Sequence, residues 1–488
     1  MHNRRHDRPK KKPIAPYLVI ALTALNVVFS SWALGGRAAN SPLIIGLLGW
    51  LNILPLFIHW NRRDFQGFKR WALLLSPWLL LIALTGFSLL NPLREVADLT
   101  DRFPRWAVLD PIPGLPVTYL QSHSWPFVWV FTGSLVAAIS LFTVVRSYKL
   151  ITILLAIIAV NGVALSVIGA WFKLNGSEMI LGFIDPVNPK FYASFRYYNH
   201  WVGFGILALG AAMTIADNMV QHYNQTGWNV RGRQRWDLVW LVCAALILIA
   251  LPLCGSRSGM LLSGLFVALA SIYLFFAYRN RSSIFAHLPS KLRRTIGLSL
   301  VVILGGFTIL GTALVWEPAS DRFAQTINQI KDGDIDQRFY ASPRDCLEMV
   351  KARPIWGWGI GSYAYAFENH AGPEYRHPLG MIIKRNEYAH NDWMQFWVEL
   401  GTFGMILFLA VPIGIIVLTF RQPRAHPETF WLALSCGLFL TLASFDFPFG
   451  VPAGVITFFI IASASARLSL GTKSSQADDD ELADAYRY

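Results

Sequence analysis

Twelve stretches of 16 to 23 mostly apolar residues run along this chain, and none of them contains a Lys or Arg. They lie at 17–34, 42–58, 71–90, 125–145, 150–172, 201–220, 238–253, 260–278, 296–315, 403–420, 430–445 and 451–466. A bilayer core about 30 Å thick is crossed by a helix of roughly 20 apolar residues, and an unpaired charge inside it is expensive. The chain therefore reads as an all-α, polytopic membrane protein with about 12 transmembrane helices. Only 15% of its 488 residues are charged, against about 25% in soluble domains. That excludes a cytosolic enzyme, a disulfide scaffold and a disordered chain.

The net charge of +13 would suggest nucleic acid for a soluble protein. Here its distribution sets the topology instead, and membrane lipids, not nucleic acid, are the expected contacts. With the N-terminus cytoplasmic, the inside segments carry 25 Lys and Arg and the five short outside loops carry 8. A further 9 lie in one long outside loop, 316–402, which is too long to count in the positive-inside rule. Both termini are thus expected in the cytoplasm. The organisation reads as a basic tail at 1–16, helices 1–9 over 17–315, the long loop at 316–402, helices 10–12 over 403–466, and a tail at 467–488. The polar, acidic end after Leu470 is expected to be disordered.

Four cysteines form no CxxC pair and no metal spacing. Cys243 and Cys436 lie within spans as small apolar residues, whereas Cys254 and Cys346 both fall outside and are open to pairing. No internal repeat, phosphate loop, GxSxG elbow or HExxH motif is present.

The unusual residues crowd the outer ends of the spans. In the long loop, 337–353 (QRFYASPRDCLEMVKAR) reads as a helix stopped by Pro354 and followed by the turn GWGIG at 357–361. The block EYAHNDW at 387–393 opens a second helix, with Trp393, Phe396, Trp397 and Leu400 on one apolar face. Asn391 or Asp392 suits its N-cap. His390 then stands beside a helix N-terminus, where the dipole favours a neutral imidazole able to act as a base; the bland alternative is a surface histidine. Arg196 lies just ahead of the sixth span in FYASFRYYNHW, and Arg257 sits in GSRSG, nearly the whole connection between the seventh and eighth spans. An arginine in so tight an outside turn faces water, a cluster of carbonyls or an anion, and its fork of donors suits phosphate.

Taken together, the arginine before the sixth span, the SRSG turn, P-x-x-G-x-G-x-G-x-Y at 354–363 and H-N-D-W-x-Q-x-x-x-E-x-G-x-x-G at 390–404 resemble the bacterial O-antigen ligase and polymerase superfamily. The likeness covers roughly 191–404 at the level of motifs, and the whole chain at the level of topology. It implies a glycosyltransferase of the inner membrane that takes a glycan from undecaprenyl diphosphate on the periplasmic face, where the long loop would lie. A ligase passes the glycan to lipid A–core, and a polymerase passes it to another lipid-linked repeat. By the resemblance, Arg196 and Arg257 hold the diphosphate, His390 activates the acceptor hydroxyl and Arg338 begins the loop helix. Many ligases carry a second histidine where this chain has Tyr388.

Two guanidinium groups can stabilise the departing diphosphate without a divalent metal, and no cofactor is expected. Glu399 and Asp446 are the next outer-face carboxylates, with bland readings as an interfacial residue and a cap before Pro448. A secondary transporter is the rival of another class. Carriers usually show related halves and ionisable residues at mid-membrane, and neither is evident here. The charge bias makes the orientation testable. Single cysteines placed in 316–402 should react with an impermeant thiol reagent in cells with a permeabilised outer membrane, and cysteines in 279–294 should not. The reverse labelling would invert the topology.

Overall fold

A computed structural model of the chain describes residues 14–59, 62–98, 105–186, 188–226, 236–279, 337–376, 386–421 and 428–469, with isolated positions between 302 and 313. It is an all-α bundle with one small sheet. Its helices are α1 (Ala15–Trp32), α2 (Ser41–Trp50), α3 (Ile53–His59), α4 (Arg62–Leu89), α5 (Gln121–Val144), α6 (Tyr148–Leu174), α7 (Tyr198–Thr226), α8 (Trp236–Leu253) and α9 (Arg257–Arg279). The loop helices are α10 (Gln337–Ala352) and α11 (Tyr363–His370), and the bundle closes with α12 (Asp392–Arg421), α13 (Thr429–Leu442) and α14 (Pro452–Ser469). Among the described residues nine helices or helix pairs are long and apolar enough to cross a membrane, and Leu75–Leu89 and Thr429–Leu442 are shorter apolar helices. The expected span at 296–315 lies for the most part outside the described residues.

α5, α7 and α14 are buried along most of their length and form the centre, while α9 leaves Leu261, Ile272, Phe275 and Phe276 exposed. Such an apolar exterior is what a lipid-facing helix requires. Lipid tails are as apolar as leucine, so helices associate through close packing and hydrogen bonds instead. Both are present. A Cβ on Gly49 of α2 would lie 2.6 Å from the backbone of Gly133 on α5, and one on Gly162 would meet the Ala208 Cβ at 2.6 Å. Asn161 accepts a hydrogen bond from the Trp32 indole (2.8 Å) and donates to Ser31 Oγ (2.9 Å). Asp217, the acidic end of the sixth predicted span, accepts from the indole of Trp431 at 2.9 Å, which satisfies a carboxylate that burial would otherwise penalise.

The connectors counted on one side in the sequence gather at one end of the bundle. There Gly35 O accepts from Ala453 N (3.1 Å), Ser31 O accepts from Ser194 Oγ (2.6 Å) and Ala443 O accepts from Asp392 N (2.8 Å). This end carries a three-stranded sheet that apolar runs do not announce: β1 (Pro92–Asp98), β2 (Arg105–Val108) and β3 (Thr118–Leu120), in the order β2-β1-β3. β1 pairs antiparallel with β2, through Glu95 and Ala107, and parallel with β3, through Arg94 and Leu120. Beside it the loop has its own core, in which Met349, Trp358, Tyr363, Phe367 and Tyr375 pack on Tyr119 and Leu120.

The pairing left open for Cys254 and Cys346 is not made. Neither cysteine is in a disulfide, and the two are buried in different cores, Cys254 with the bundle and Cys346 with the loop helices. The Cys254 thiol, just past the end of α8, donates to Leu251 O in the last turn of that helix at 3.0 Å.

The α2–α5 approach yields a test of packing. Gly49→Ala forces a methyl into the Gly133 backbone, and overpacking of this kind costs about 1–3 kcal/mol. Its thermal midpoint in detergent should fall by several degrees, while Gly86→Ala, which meets nothing within 4 Å, should leave it unchanged or slightly raised.

Candidate active site

α12 begins where the sequence suggested. Asn391 is its N-cap, its Oδ1 accepting from Met394 N at 3.2 Å. The next residue, Asp392, is buried, and its Oδ2 accepts from Phe449 N at 2.9 Å, which ties the helix start to the segment between α13 and α14. His390 takes a left-handed backbone, φ +52°, which costs a residue with a Cβ about 1–2 kcal/mol. Its neighbours fix that conformation: Ala389 N donates to Gln395 Oε1 (3.2 Å) and Asp392 N to Ala443 O (2.8 Å). The imidazole, about a quarter exposed, lies edge-on to Phe447 at 4.8 Å, with Nδ1 4.0 Å from Asp446 Oδ1. The helix start favours the neutral ring and the carboxylate favours the charged one, so opposing influences meet on the imidazole.

Asp446 is buried and joins three segments. Its Oδ1 accepts from Phe447 N at 2.9 Å. Its Oδ2 accepts from the Asn199 amide and, at 3.5 Å, from the Tyr197 hydroxyl. The carbonyl of Asn199 in turn accepts from Ser256 Oγ, which caps α9 by accepting from Gly259 N at 3.2 Å. A continuous polar chain therefore runs from His390 through Asp446 and Asn199 to the SRSG turn.

Phe447 is the hub of an aromatic shell. It stacks on Tyr388 (4.4 Å) and Tyr197 (5.6 Å) and meets the edge of His200 at 4.9 Å. Arg37, in the turn after α1, donates to Tyr388 Oη (2.6 Å) and Gly450 O (2.8 Å) while lying over the Tyr388 ring. Burial pushes the Tyr388 phenol above its ordinary value and Arg37 pulls the other way, so the group stays a neutral hydroxyl near pH 7.

Arg196 is half-buried, and its Nε is buried with no hydrogen-bond partner among the described residues. Arg257 is exposed and is the first residue of α9. Each adjoins the polar chain in sequence, Arg196 three residues before Asn199 and Arg257 directly after Ser256. The side chain of Arg338 lies outside the described residues. Glu399 does different work. It is buried rather than interfacial, and it accepts from the backbone of Gly361 and Tyr363 (3.1 Å) and from the Gln395 amide (3.4 Å). It thereby clasps the GWGIG turn to α12.

Sequence reasoning missed Arg37, Asn199, Ser256 and Phe447. Asn199 and Ser256 stood inside the quoted blocks, but small polar residues at span ends look like ordinary caps, and their partners lie 247 and 57 residues away. Removing the carboxylate is the direct test of this geometry. If His390 is the base that the resemblance implies, Asp446→Ala should cut glycan transfer roughly a hundredfold, the lower end of what a positioned base contributes. Its acid limb should move to lower pH, because an imidazole relieved of a neighbouring carboxylate gives up its proton more readily. A pH–rate profile unchanged in height and shape would leave Asp446 a packing residue.

Comparison with known proteins adds an independent line. No curated protein matches the chain. Residues 242–409, from within α8 through the first half of α12, match the family described as O-antigen ligase. The matched span holds the SRSG turn, the GWGIG turn and the HND block, whereas Arg37, Asn199 and Asp446, and the segment that carries Arg196, come from outside it. The match over residues 242–409 supports membership of the O-antigen ligase and polymerase superfamily and, in general, a glycosyltransferase of that kind, in a chain whose described helices mark it as a multi-pass membrane protein.

Proposed function

We propose that this protein transfers a glycan from undecaprenyl diphosphate to a sugar hydroxyl of lipid A–core, on the periplasmic face of the inner membrane, with inversion at the anomeric carbon. The observation that carries this reading is the polar chain His390–Asp446–Asn199–Ser256, which brings a base and the two arginine-bearing segments into one structure.

Each part has a task. The orphaned Nε of Arg196 and the Arg257 guanidinium at the start of α9 offer charged donors to the diphosphate, and a helix N-terminus favours the same charge. They take up the negative charge that develops as the glycosidic C–O bond breaks. The acceptor hydroxyl is too weakly acidic to attack unaided. His390 takes its proton, the oxygen bonds to the anomeric carbon, and lipid diphosphate leaves from the opposite face. No enzyme nucleophile intervenes, which is why one displacement inverts the centre. Asp446 holds the ring and stabilises the imidazolium that forms.

A polymerase acting on a second lipid-linked repeat is the alternative. Tyr388 favours it, because this residue, clasped by Arg37, stands where the resemblance leads one to expect a second ligase histidine.

Reconstitution with an undecaprenyl-diphosphate glycan tests both readings at once. Lipid A–core should become glycosylated under the ligase reading and the lipid-linked repeat under the polymerase reading; transfer to neither contradicts both. His390→Ala should insert and accumulate normally yet lose transfer. Arg257→Lys should lose much of the activity, since an ammonium cannot hold two oxygens in fixed geometry, and Arg257→Ala roughly a hundredfold or more. Full activity in Arg257→Lys would return the arginine to a structural role.

A further inference from the structure

A cavity of about 170 Å³ lies between the GWGIG turn, the start of α5 and α12. Its wall includes His123, Tyr365, Tyr388, Glu387, Gln395 and Glu399. Drug-sized ligands occupy clefts of roughly 300–1,000 Å³, so this one suits a single small ring. The rings in the wall are held in place. His123 meets the edge of Tyr365 at 4.7 Å, and Tyr365 stacks on Tyr119 at 6.2 Å. Gln395 is held as well, its Oε1 accepting from Ala389 N and its Nε2 donating to Glu399, which leaves a second amide hydrogen for a ligand.

We propose that this cavity is a subsite for one unphosphorylated sugar ring of the acceptor, an inference that rests on the transferase reading above. A pyranose has C–H faces that pack on aromatic rings and hydroxyls that donate to carboxylates and accept from an amide. Among the described residues of the wall none is Lys or Arg, and the exposed carboxylate of Glu387 would repel a phosphate there. The placement also separates acceptor from donor. The cavity reaches the His390 cluster through Tyr388, which forms part of its wall and stacks on Phe447. The two arginines adjoin that cluster through Asn199 and Ser256. A ring in the cavity thus approaches His390 from the side of Glu387 and Glu399, and the diphosphate from the side of the segments that carry Arg196 and Arg257.

Saturation-transfer NMR on the full chain in detergent tests this, with methyl glucoside, methyl galactoside, methyl glucosaminide and glucose 6-phosphate as probes. At least one glycoside should take up saturation and the phosphorylated ring should not. Excess inorganic pyrophosphate should leave the signal unchanged. Tyr365→Ala should reduce it about fivefold or more, the scale of one lost aromatic contact. Glu387→Gln, at an exposed position that burdens no packing, should reduce it too and admit the phosphorylated ring. Saturation of no glycoside, equal saturation in parent and variants, or displacement by pyrophosphate overturns the proposal. If the parent transfers glycan in a His390-dependent way without variant-sensitive saturation, the cavity proposal falls alone. If the glycosides bind as expected but the parent transfers glycan to no acceptor, the transferase reading falls, and the cavity stands as a sugar site without the acceptor role.

Discussion

A carboxylate buried in a membrane protein must find partners or be neutralised, and Asp446 finds them in three segments at once. It draws the backbone of Phe447, the amide of Asn199 and the ring of His390 to one point. Those groups come from the connector after α13, the start of α7 and the start of α12. Ser256 extends the network to the turn before α9. The relative placement of His390 and the two arginine-bearing segments thus depends on one satisfied carboxyl group. Next to Asp446 in sequence, Phe447 stacks between Tyr388 and Tyr197 and meets the edge of His390, so an aromatic collar forms beside the same carboxylate.

A second constraint seats the long loop on the bundle. α12 is broken at Gly401, where φ is +66°, and Gly357 faces it with φ +70°. A Cβ on either residue would lie 2.3–2.4 Å from backbone of the other segment, so only glycine permits this approach. The freed backbone groups pair across the break: Trp358 N donates to Val398 O, Gly359 N to Glu399 O and Thr402 N to Pro354 O. Glu399 closes the joint by capping Tyr363 N. The ELG-x-x-G and G-x-G-x-G motifs are thus two halves of one joint that seats the loop on α12, the helix that His390 precedes.

Much of this was legible in the sequence because it is local. Apolar length marks a span without reference to anything distant, and Asn391 announces a helix start through its own neighbours. What escaped is long-range. Arg37 sits in a short turn that reads as a topology charge, yet its partner Tyr388 is 351 residues away. Asp446 looked like a cap before Pro448 because its bond to Phe447 N is visible locally and its bond to Asn199 is not. The strands at 92–120 are short and carry Pro and charged residues, so no apolar period betrays them. Glu399 lies on a helix whose exposed face was expected to be interfacial, and burial by the GWGIG turn reverses that expectation.

The central claim is that the arginine segments and His390 serve one diphosphate and one displacement. The most direct measurement is a cryo-electron microscopy structure of the full chain bound to undecaprenyl diphosphate. The account predicts density for the diphosphate against Arg196 and Arg257 at the N-terminus of α9, with its sugar-bearing oxygen turned toward His390. Diphosphate density elsewhere on the bundle, with Arg196 and Arg257 unengaged, would contradict it.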